Sequence, residues 1–396
     1  MNFDDNSLYN IKSSVDGKRY SLFELATWKN GLAFKKINFC ETGVPVIKIA
    51  ELNNGIGGTT AYTQQTFSED VHLCKGDLLF SWSGNPQTSI DIFRFNLDEG
   101  WLNQHIFKVT PDEKAVDRDY FYFLMKNLKP HFTQIATNKQ TTGLGHVTIA
   151  DIKRMSVVIP SLDVQRKIVS YIKPIDDKIE LNNEINNNLE QQAQAIYQQM
   201  FIDNARSNWA EGTLSDIADI TMGQSPSGSS YNEDGTGTIF FQGRAEFGFR
   251  FPSVRLYTTE PKRMARSNDT LMSVRAPVGD LNVAHTDCCI GRGLAAIHSK
   301  NNHQSFVLYT MFSLKKQLDV FNGEGTVFGS INRNSLNEMP ILIPSSEKLD
   351  EFEALVSPMD AAIRNNYDEI CRLEQLRDSL LPQLMSGELD VSDIDL

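Results

Sequence analysis

Met155-Ser156-Val157-Val158-Ile159-Pro160-Ser161 and Met339-Pro340-Ile341-Leu342-Ile343-Pro344-Ser345 are one phrase written twice, 184 residues apart. Held at that offset without a gap, the match continues: Pro174 meets Pro358, Asp176 meets Asp360, Ile179 meets Ile363 and Asn182 meets Asn366. Further on, Leu189-Glu190-Gln191 meets Leu373-Glu374-Gln375. The period is too long for a solenoid, whose units recur every ~20–50 residues. It marks a duplicated domain followed by a duplicated helix.

Outward from each phrase run two helical stretches, 163–200 and 347–385. Ile168, Ile172, Ile175 and Ile179 step by 4, 3 and 4, and Leu189, Ala193, Ile196 and Met200 resume the rhythm. Phe352, Val356, Met359 and Ile363 repeat it, followed by Ile370, Leu373, Leu380 and Leu384. Alternating 3 and 4 is the seam of a helix pair. Asn182 and Asn366 fall on the seam, where a polar residue costs stability but fixes register. The matched positions predict an antiparallel pair about a pseudo-twofold axis, with the two asparagines near each other. Ile179, Asn182, Leu189, Ile363, Asn366 and Leu373 are the expected pairing and partner-docking residues. Pro174 and Pro358 are each expected to start or kink a helix, because proline lacks the amide hydrogen and clashes one turn back. From Pro174 to Met200 spans about 40 Å at ~1.5 Å per residue, close to one DNA turn of ~34–36 Å.

The segments between, 21–160 and 206–344, repeat more loosely. Leu22-Phe23-Glu24-Leu25-Ala26 resembles Leu214-Ser215-Asp216-Ile217-Ala218, and Asp77–Gly84 resembles Asp269–Ala276. Short β-type runs at Val44–Ala50, Asp77–Trp82, Thr238–Gln242 and Thr270–Arg275 precede helical stretches at Tyr120–Leu128 and Gln304–Leu318. The expected organisation is an N-terminal segment (1–20), a mixed α and β domain (21–160), a central helix (161–205), a second such domain (206–344), and a distal helix with an acidic tail (345–396). The fold class is α+β, two repeated domains separated by two long helices. A common scaffold with divergent globular parts suits recognition of two different half-sites.

The 396 residues carry a formal charge of −12, which at first sight argues against a nucleic-acid partner. Distribution matters more than the total. Ser346–Leu396 holds thirteen acidic and four basic residues, whereas Arg244–Arg292 holds eight basic and five acidic. Five cysteines, an odd number without a Cys-x-x-Cys pair, point to free thiols in a reducing cytosol. No apolar run approaches the ~18 residues of a membrane span, and the acidic start lacks a signal-peptide layout.

No catalytic or nucleotide-binding motif is evident. There is no Asn-Pro-Pro-Tyr and no Gly-x-x-x-x-Gly-Lys loop. Gly55-Ile56-Gly57-Gly58 lacks the lysine and reads as a turn. His298 and His303 lack a third ligand nearby, so no metal is expected. Cys288 and Cys289 read as small packed residues.

In this order and duplicated, several pieces resemble the specificity (S) subunit of type I restriction–modification systems. They are Arg377–Leu389 (R-D-S-L-L-P-Q-L-M-S-G-E-L), Ile159–Gln165, Lys75–Ser81 and Ser273–Asp280. The resemblance covers essentially the whole chain. It departs locally at Asn268, where the strand motif has Gly, and at Ser346-Glu347-Lys348, which weakens the second Pro-x-x-x-Gln motif. It implies two target-recognition domains, each reading half of a bipartite DNA site, and helices that pair antiparallel and set the gap. It also implies docking of two modification subunits that bring S-adenosylmethionine, and of restriction subunits with motor and nuclease that use ATP and Mg. On this reading the chain itself is not an enzyme and holds no cofactor, and the complex would be an adenine-specific DNA methyltransferase and ATP-dependent endonuclease. A coiled-coil adaptor that does not read DNA, and the specificity module of a self-contained restriction enzyme, remain as alternatives. The basic 244–292 segment favours DNA.

Base readers are expected among side chains that form paired hydrogen bonds, Arg to guanine and Asn or Gln to adenine. In the second domain these are Gln242, Arg244, Arg275 and Arg292. The aligned first-domain positions are Lys48, Ser83 and Gln104, with neighbouring His105. Trp82 is expected to pack or to stack. The loops Lys139–Gly143 and Gly323–Thr326 are matched candidates, with Lys139 foremost. Lys262, Arg263 and Arg266 are expected phosphate anchors.

Overall fold

The structure, a computed structural model, describes residues 5–140, 143–323 and 329–391. They form two compact units. One comprises Met1–Ile179 with Cys371–Leu396, the other Glu180–Ile370. Each holds one globular part and a segment of each long helix.

The opening phrase closes each globular part. Strand Ser156–Ile159 pairs antiparallel with Lys18–Ser21, and Pro340–Ile343 pairs with Ala210–Thr213. Proline and serine end the strand, and the helices Leu162–Tyr197 and Ser346–Ser386 follow. Another matched piece is a capping box. The Ser21 amide donates to Glu24 Oε2 (2.9 Å) and the Thr213 amide to Asp216 Oδ2 (2.7 Å).

Both parts share the order of their main sheet. In the first, an antiparallel sheet runs in the order Ala26–Asn30, Ile106–Pro111, Leu78–Ser81, Asp91–Arg94. In the second the order is Ala218–Met222, Leu294–Ser299, Thr270–Ser273, Leu281–Val283. A second sheet in each contains one parallel pair, Val44–Ile47 with Glu99–Leu102 and Thr238–Phe241 with Cys288–Ile290. Helices Arg118–Asn127 and Gln304–Ser313 bury aromatic residues in the two cores, among them Tyr120, Phe121 and Phe123 in one and Phe306 and Tyr309 in the other. Two expectations need adjustment. The run Val44–Ala50 is a strand only to Ile47, then turns into helix Ile49–Asn54. Gln304–Leu318 is two helices, broken at Leu314, as Leu128 breaks its counterpart ahead of Pro130. Asn268 adopts φ 73°, matching Gly76 at φ 93°, so the departure from glycine keeps the turn because asparagine tolerates the left-handed region.

The long helices decide two points that the sequence leaves open. Neither proline starts a helix. The central helix begins twelve residues before Pro174 and runs through it, and the distal helix runs through Pro358. Packing over three turns ahead of each proline outweighs one lost backbone bond. Nor do Asn182 and Asn366 bond each other. Asn182 Nδ2 donates to Glu369 Oε2 (2.7 Å) and Asn366 Nδ2 to Asn186 Oδ1 (2.9 Å). The pairing is antiparallel, and the 184-residue offset carries Asn182 onto Asn366 and Glu369 onto Ile185, one residue from Asn186. Each asparagine therefore meets a residue about one turn beyond its own counterpart. Ile179 and Ile363 are buried, and Leu189 and Leu373 half-buried.

The matched aspartates are where each globular part grips the helices. Arg250 is 4% exposed, and its Nη1 meets Asp360 Oδ1 (3.2 Å) and its Nη2 meets Glu190 Oε2 (2.9 Å). Tyr309 Oη donates to the same Asp360 oxygen (2.9 Å). Burial pushes the Glu190 carboxyl up, against the pull of Arg250. In the other unit, Arg94 Nη1 and Arg377 Nη1 each donate to Asp176 (both 3.1 Å), while Arg94 Nη2 reaches Asp119 (3.1 Å). Arg94 and Arg250 come from different stretches of their domains, so the two grips share the aspartate but not the arginine.

A third buried pair lies under helix Ile149–Arg154. Asp151, its side chain 3% exposed, receives both oxygens' bonds from Lys139 Nζ (2.5 Å) and one from Tyr9 Oη (3.0 Å). Burial alone would raise the Asp151 carboxyl, but Lys139 and Thr148 outweigh it and hold the carboxyl below its ordinary value.

Arg250→Ala leaves Glu190 and Asp360 buried without their counter-charge, and should destabilise its unit by about 3–5 kcal/mol in chemical denaturation. Lys139→Ala should cost less, on the order of 2 kcal/mol, because water reaches a lysine that is 35% exposed. The carboxyl of Asp151 titrates lower in the folded than in the unfolded chain. Its contribution is complete above the ordinary aspartate range and disappears as pH falls below about 4. Acid titration of stability in wild type and Asp151→Asn should show that loss only in the wild type.

Candidate nucleic-acid interface

In the second globular part, four chain segments deliver side chains to one edge. The parallel strands Thr238–Phe241 and Cys288–Ile290 end side by side, with the Gly291 amide donating to Phe241 O (2.8 Å). Gln242 and Arg292 leave from that end. Gly223 donates to Leu294 O (2.9 Å), Gln224 to Ile290 O (3.0 Å), and the Arg292 amide to Ser225 Oγ (3.2 Å). Val274 donates to Gly293 O (2.9 Å), which sets Arg275 alongside. A β-carbon at Gly223 would collide with the Gly291 carbonyl, so glycine is what lets these segments cross. Gln224, Gln242, Arg275 and Arg292 are all exposed. Among the described residues neither the Arg275 nor the Arg292 guanidinium has an ion-pair partner.

The first part has the same construction with different side chains. Gly31 donates to Ile106 O (3.1 Å), Gln104 to Leu32 O (2.9 Å) and Asn103 to Ile47 O (3.1 Å). Lys48, Gln104 and His105 are thereby gathered at one edge, and the Trp82 amide, donating to His105 O (3.3 Å), adds Ser83. Val147 donates to Trp82 O (2.8 Å) as Ile331 does to Val274 O (3.1 Å), and Ser83 faces His146 as Arg275 faces Ser330. Lys48, Ser83 and Gln104 thus occupy the places of Gln242, Arg275 and Arg292. Gln104 Nε2 and His105 Nε2 lie 3.1 Å apart. Trp82 is half-buried and stacks on Phe107 (ring centroids 5.7 Å apart), with Nε1 donating to Asn30 Oδ1 (3.1 Å). It packs, and holds Asn30 at the same edge.

Asn30 and Gln224 are residues that motif reading missed. The signal was present, since the 192-residue offset that aligns Leu22 with Leu214 also aligns Gly31 with Gly223, and these two residues flank those glycines.

The remaining candidates are spread out. Lys262 and Arg263 are exposed beside the edge, because Ile290 donates to Arg263 O (2.9 Å). Arg244 also lies there, with its guanidinium on Asp280. Arg266 is at the opposite end of strand Thr270–Ser273, where Nη1 donates to His298 Nε2 (3.2 Å) and His298 Nδ1 bonds Asp269 (2.6 Å). The structure does not bring it to the edge. Lys139 is held by Asp151, as described. Of the two matched loops, Thr141, Thr142, Glu324, Gly325 and Thr326 lie outside the described residues. Gly55 caps helix Ile49–Asn54 at φ 75°, the turn expected. His303 bonds Asp350 (2.8 Å), and no three metal-ligating side chains converge among the described residues. Cys288 and Cys289 are fully buried, and burial pushes the Cys288 thiol up to about 12, an unreactive state.

The surface therefore offers hydrogen-bond donors and positive charge in two equivalent places. Among the described residues no helix is long and apolar enough to cross a membrane.

Comparison with known proteins agrees with the duplication. A putative type I restriction enzyme MjaX specificity subunit from Methanocaldococcus jannaschii is 26% identical over 390 residues, covering 92% of this chain and 91% of its own. The type I restriction enzyme HindI specificity subunit of Haemophilus influenzae is 23% identical, covering 80% of this chain and 87% of its own. The crystal structure of a type I restriction–modification system S subunit from M. genitalium shares the fold, at TM-score 0.54 and 15% identity, over 94% of this chain and 97% of that one. The model of the type I restriction modification DNA specificity domain matches twice, over residues 15–191 and 206–374. With its two copies of that domain spanning most of its length, the chain belongs to the type I restriction modification DNA specificity family.

Proposed function

We propose that this chain reads a bipartite DNA target for a type I restriction–modification complex, each globular part reading one half. The supporting observation is the pair of equivalent edges. One scaffold presents Lys48, Ser83, Gln104 and His105 in the first part, and Gln242, Arg275 and Arg292 in the second. Asn30 and Gln224 belong to these edges. Identical frames with different donors read different bases, since base identity is carried by the donor and acceptor pattern in the major groove. Lys262 and Arg263, exposed beside the second edge, supply sequence-blind attraction to phosphates. Arg244 supports the edge through Asp280.

The long helices set the distance between half-sites and dock the partners. These are two modification subunits carrying S-adenosylmethionine and restriction subunits using ATP and Mg in the cytoplasm. The chain contributes recognition and no bond-making chemistry. The acidic outer face of the distal helix repels phosphate, consistent with a docking role.

Methylation-sensitive sequencing of a host carrying the intact operon should show a bipartite, asymmetric motif with a few unread base pairs between its halves. Replacing residues 206–344 by the same segment of a relative should change one half only. A continuous or palindromic motif, or a swap that alters both halves, contradicts the reading. Arg275→Ala and Arg292→Ala should each lose ~1–3 kcal/mol of discrimination in the second half-site. Lys262→Ala should weaken binding to all sequences equally and flatten the salt dependence. Equal losses on specific and random DNA for the arginine variants would remove them as readers.

A further inference from the structure

The first globular part carries a feature that the corresponding stretch of the second part lacks. Ile37 is 83% exposed, more than any other large apolar side chain among the described residues. Its exposure is built. The one-turn helix Lys36–Asn38 is closed by Asn38 Oδ1 accepting from the Lys35 amide (2.8 Å) and by the Phe39 amide on Lys36 O (3.1 Å). Asn38 Nδ2 ties the turn to Gln65 Oε1 (2.9 Å). Beneath it Phe34 packs on Phe39 and Phe67, at centroid distances of 6.4 and 5.0 Å. The turn thus stands on an aromatic base with its isoleucine pointing into water.

Charge says what covers it. Lys35 and Lys36 immediately precede the isoleucine, and among the described residues neither ammonium has an ion-pair partner. Lys48 Nζ lies 5.1 Å from the Phe39 ring centroid, so the turn adjoins the candidate reading edge. Glu41 is the one acid on the same loop. The corresponding stretch of the second part, Ser225–Asp234, has no lysine, arginine or large aliphatic residue.

We propose that Ile37 is a wedge that enters a base step beside the half-site read by the first part, with Lys35 and Lys36 holding the flanking phosphates. An apolar side chain inserted between bases unstacks them and kinks the duplex, and the cost is offset by the added protein contact. A fixed turn suits this use, because the tip loses little freedom on insertion. The corresponding stretch of the second part, Ser225–Asp234, carries no such tip, so no matching insertion is expected from it.

This proposal rests on the DNA-reading function above, and the test separates the two. The full chain, assembled with its modification subunits, is bound to duplexes of the methylome-defined target. 2-Aminopurine is placed in turn at each position of the first half-site and its flank. Wild type should raise the fluorescence at one step, in addition to any rise at the methylated base. Ile37→Ala should abolish the rise at that step, weaken specific binding about tenfold, and leave the second half-site footprint and the melting temperature unchanged. Lys35→Ala with Lys36→Ala should weaken binding but keep the rise at saturation. If the complex binds its target and Ile37→Ala gives the wild-type fluorescence pattern, the wedge is wrong and the reading function stands. If Ile37→Ala impairs assembly and not DNA binding, the tip belongs to a protein partner. A complex that binds no DNA overturns both.

Discussion

A carboxylate on each long helix, gripped by an arginine that is buried in one unit and half-buried in the other, is the constraint around which each unit is organised. Asp360 receives Arg250 and Tyr309, and Asp176 receives Arg94 and Arg377. Taking a guanidinium and a carboxylate out of water costs several kcal/mol per ion before their attraction is counted. Such a pair therefore adds little net stability compared with apolar residues of equal volume. What it adds is direction. A guanidinium bonded by two groups fixes the strand or loop that carries it, whereas an apolar contact tolerates sliding. On the proposed function, each edge must be held at a definite place relative to a helix, and that specificity has a use that greater stability would not supply.

The two candidate reading edges follow from the same economy of construction. A parallel strand pair beside the antiparallel sheet brings two chain ends out together. Glycines at positions 31 and 223 let a third segment cross them. The backbone hydrogen bonds that lock the crossing are made by amides and carbonyls, so they do not depend on which side chains project. Lys48 and Gln242, or Gln104 and Arg292, exchange without disturbing the frame. That independence allows one scaffold to present two different surfaces in one chain, and places the freedom to vary in the exposed side chains.

The negative charge of the chain is compatible with this arrangement because it is segregated. The acids of the distal helix are solvated or meet partners of their own unit, as Asp360 meets Arg250, Asp350 meets His303 and Glu369 meets Asn182. The basic residues of 244–292 divide between buried structural roles, as for Arg250, and an exposed group at Arg263, Arg275 and Arg292. A count of charge in a segment cannot separate these two uses. Arg250 and Arg275 look alike in sequence, and only burial distinguishes the clamp from the free donor.

The sequence by itself determined the duplication, both long helices to within a few residues, the asparagine-bearing seam and the family. These are carried by periodicity and by residues matched at a fixed offset, which are local or additive signals. It also aligned Lys48, Ser83 and Gln104 with Gln242, Arg275 and Arg292, because the two copies keep one backbone. Only the tertiary structure decided which partners the matched residues meet. Asn182 finds Glu369 and not Asn366, since the register of two antiparallel helices is set by the packing of whole faces. Both prolines lie within helices, because packing ahead of them outweighs one missing bond. Lys139 turns inward to Asp151, and Arg266 sits at the far end of its sheet, because a charged side chain in a loop takes its neighbours from chain segments remote in sequence.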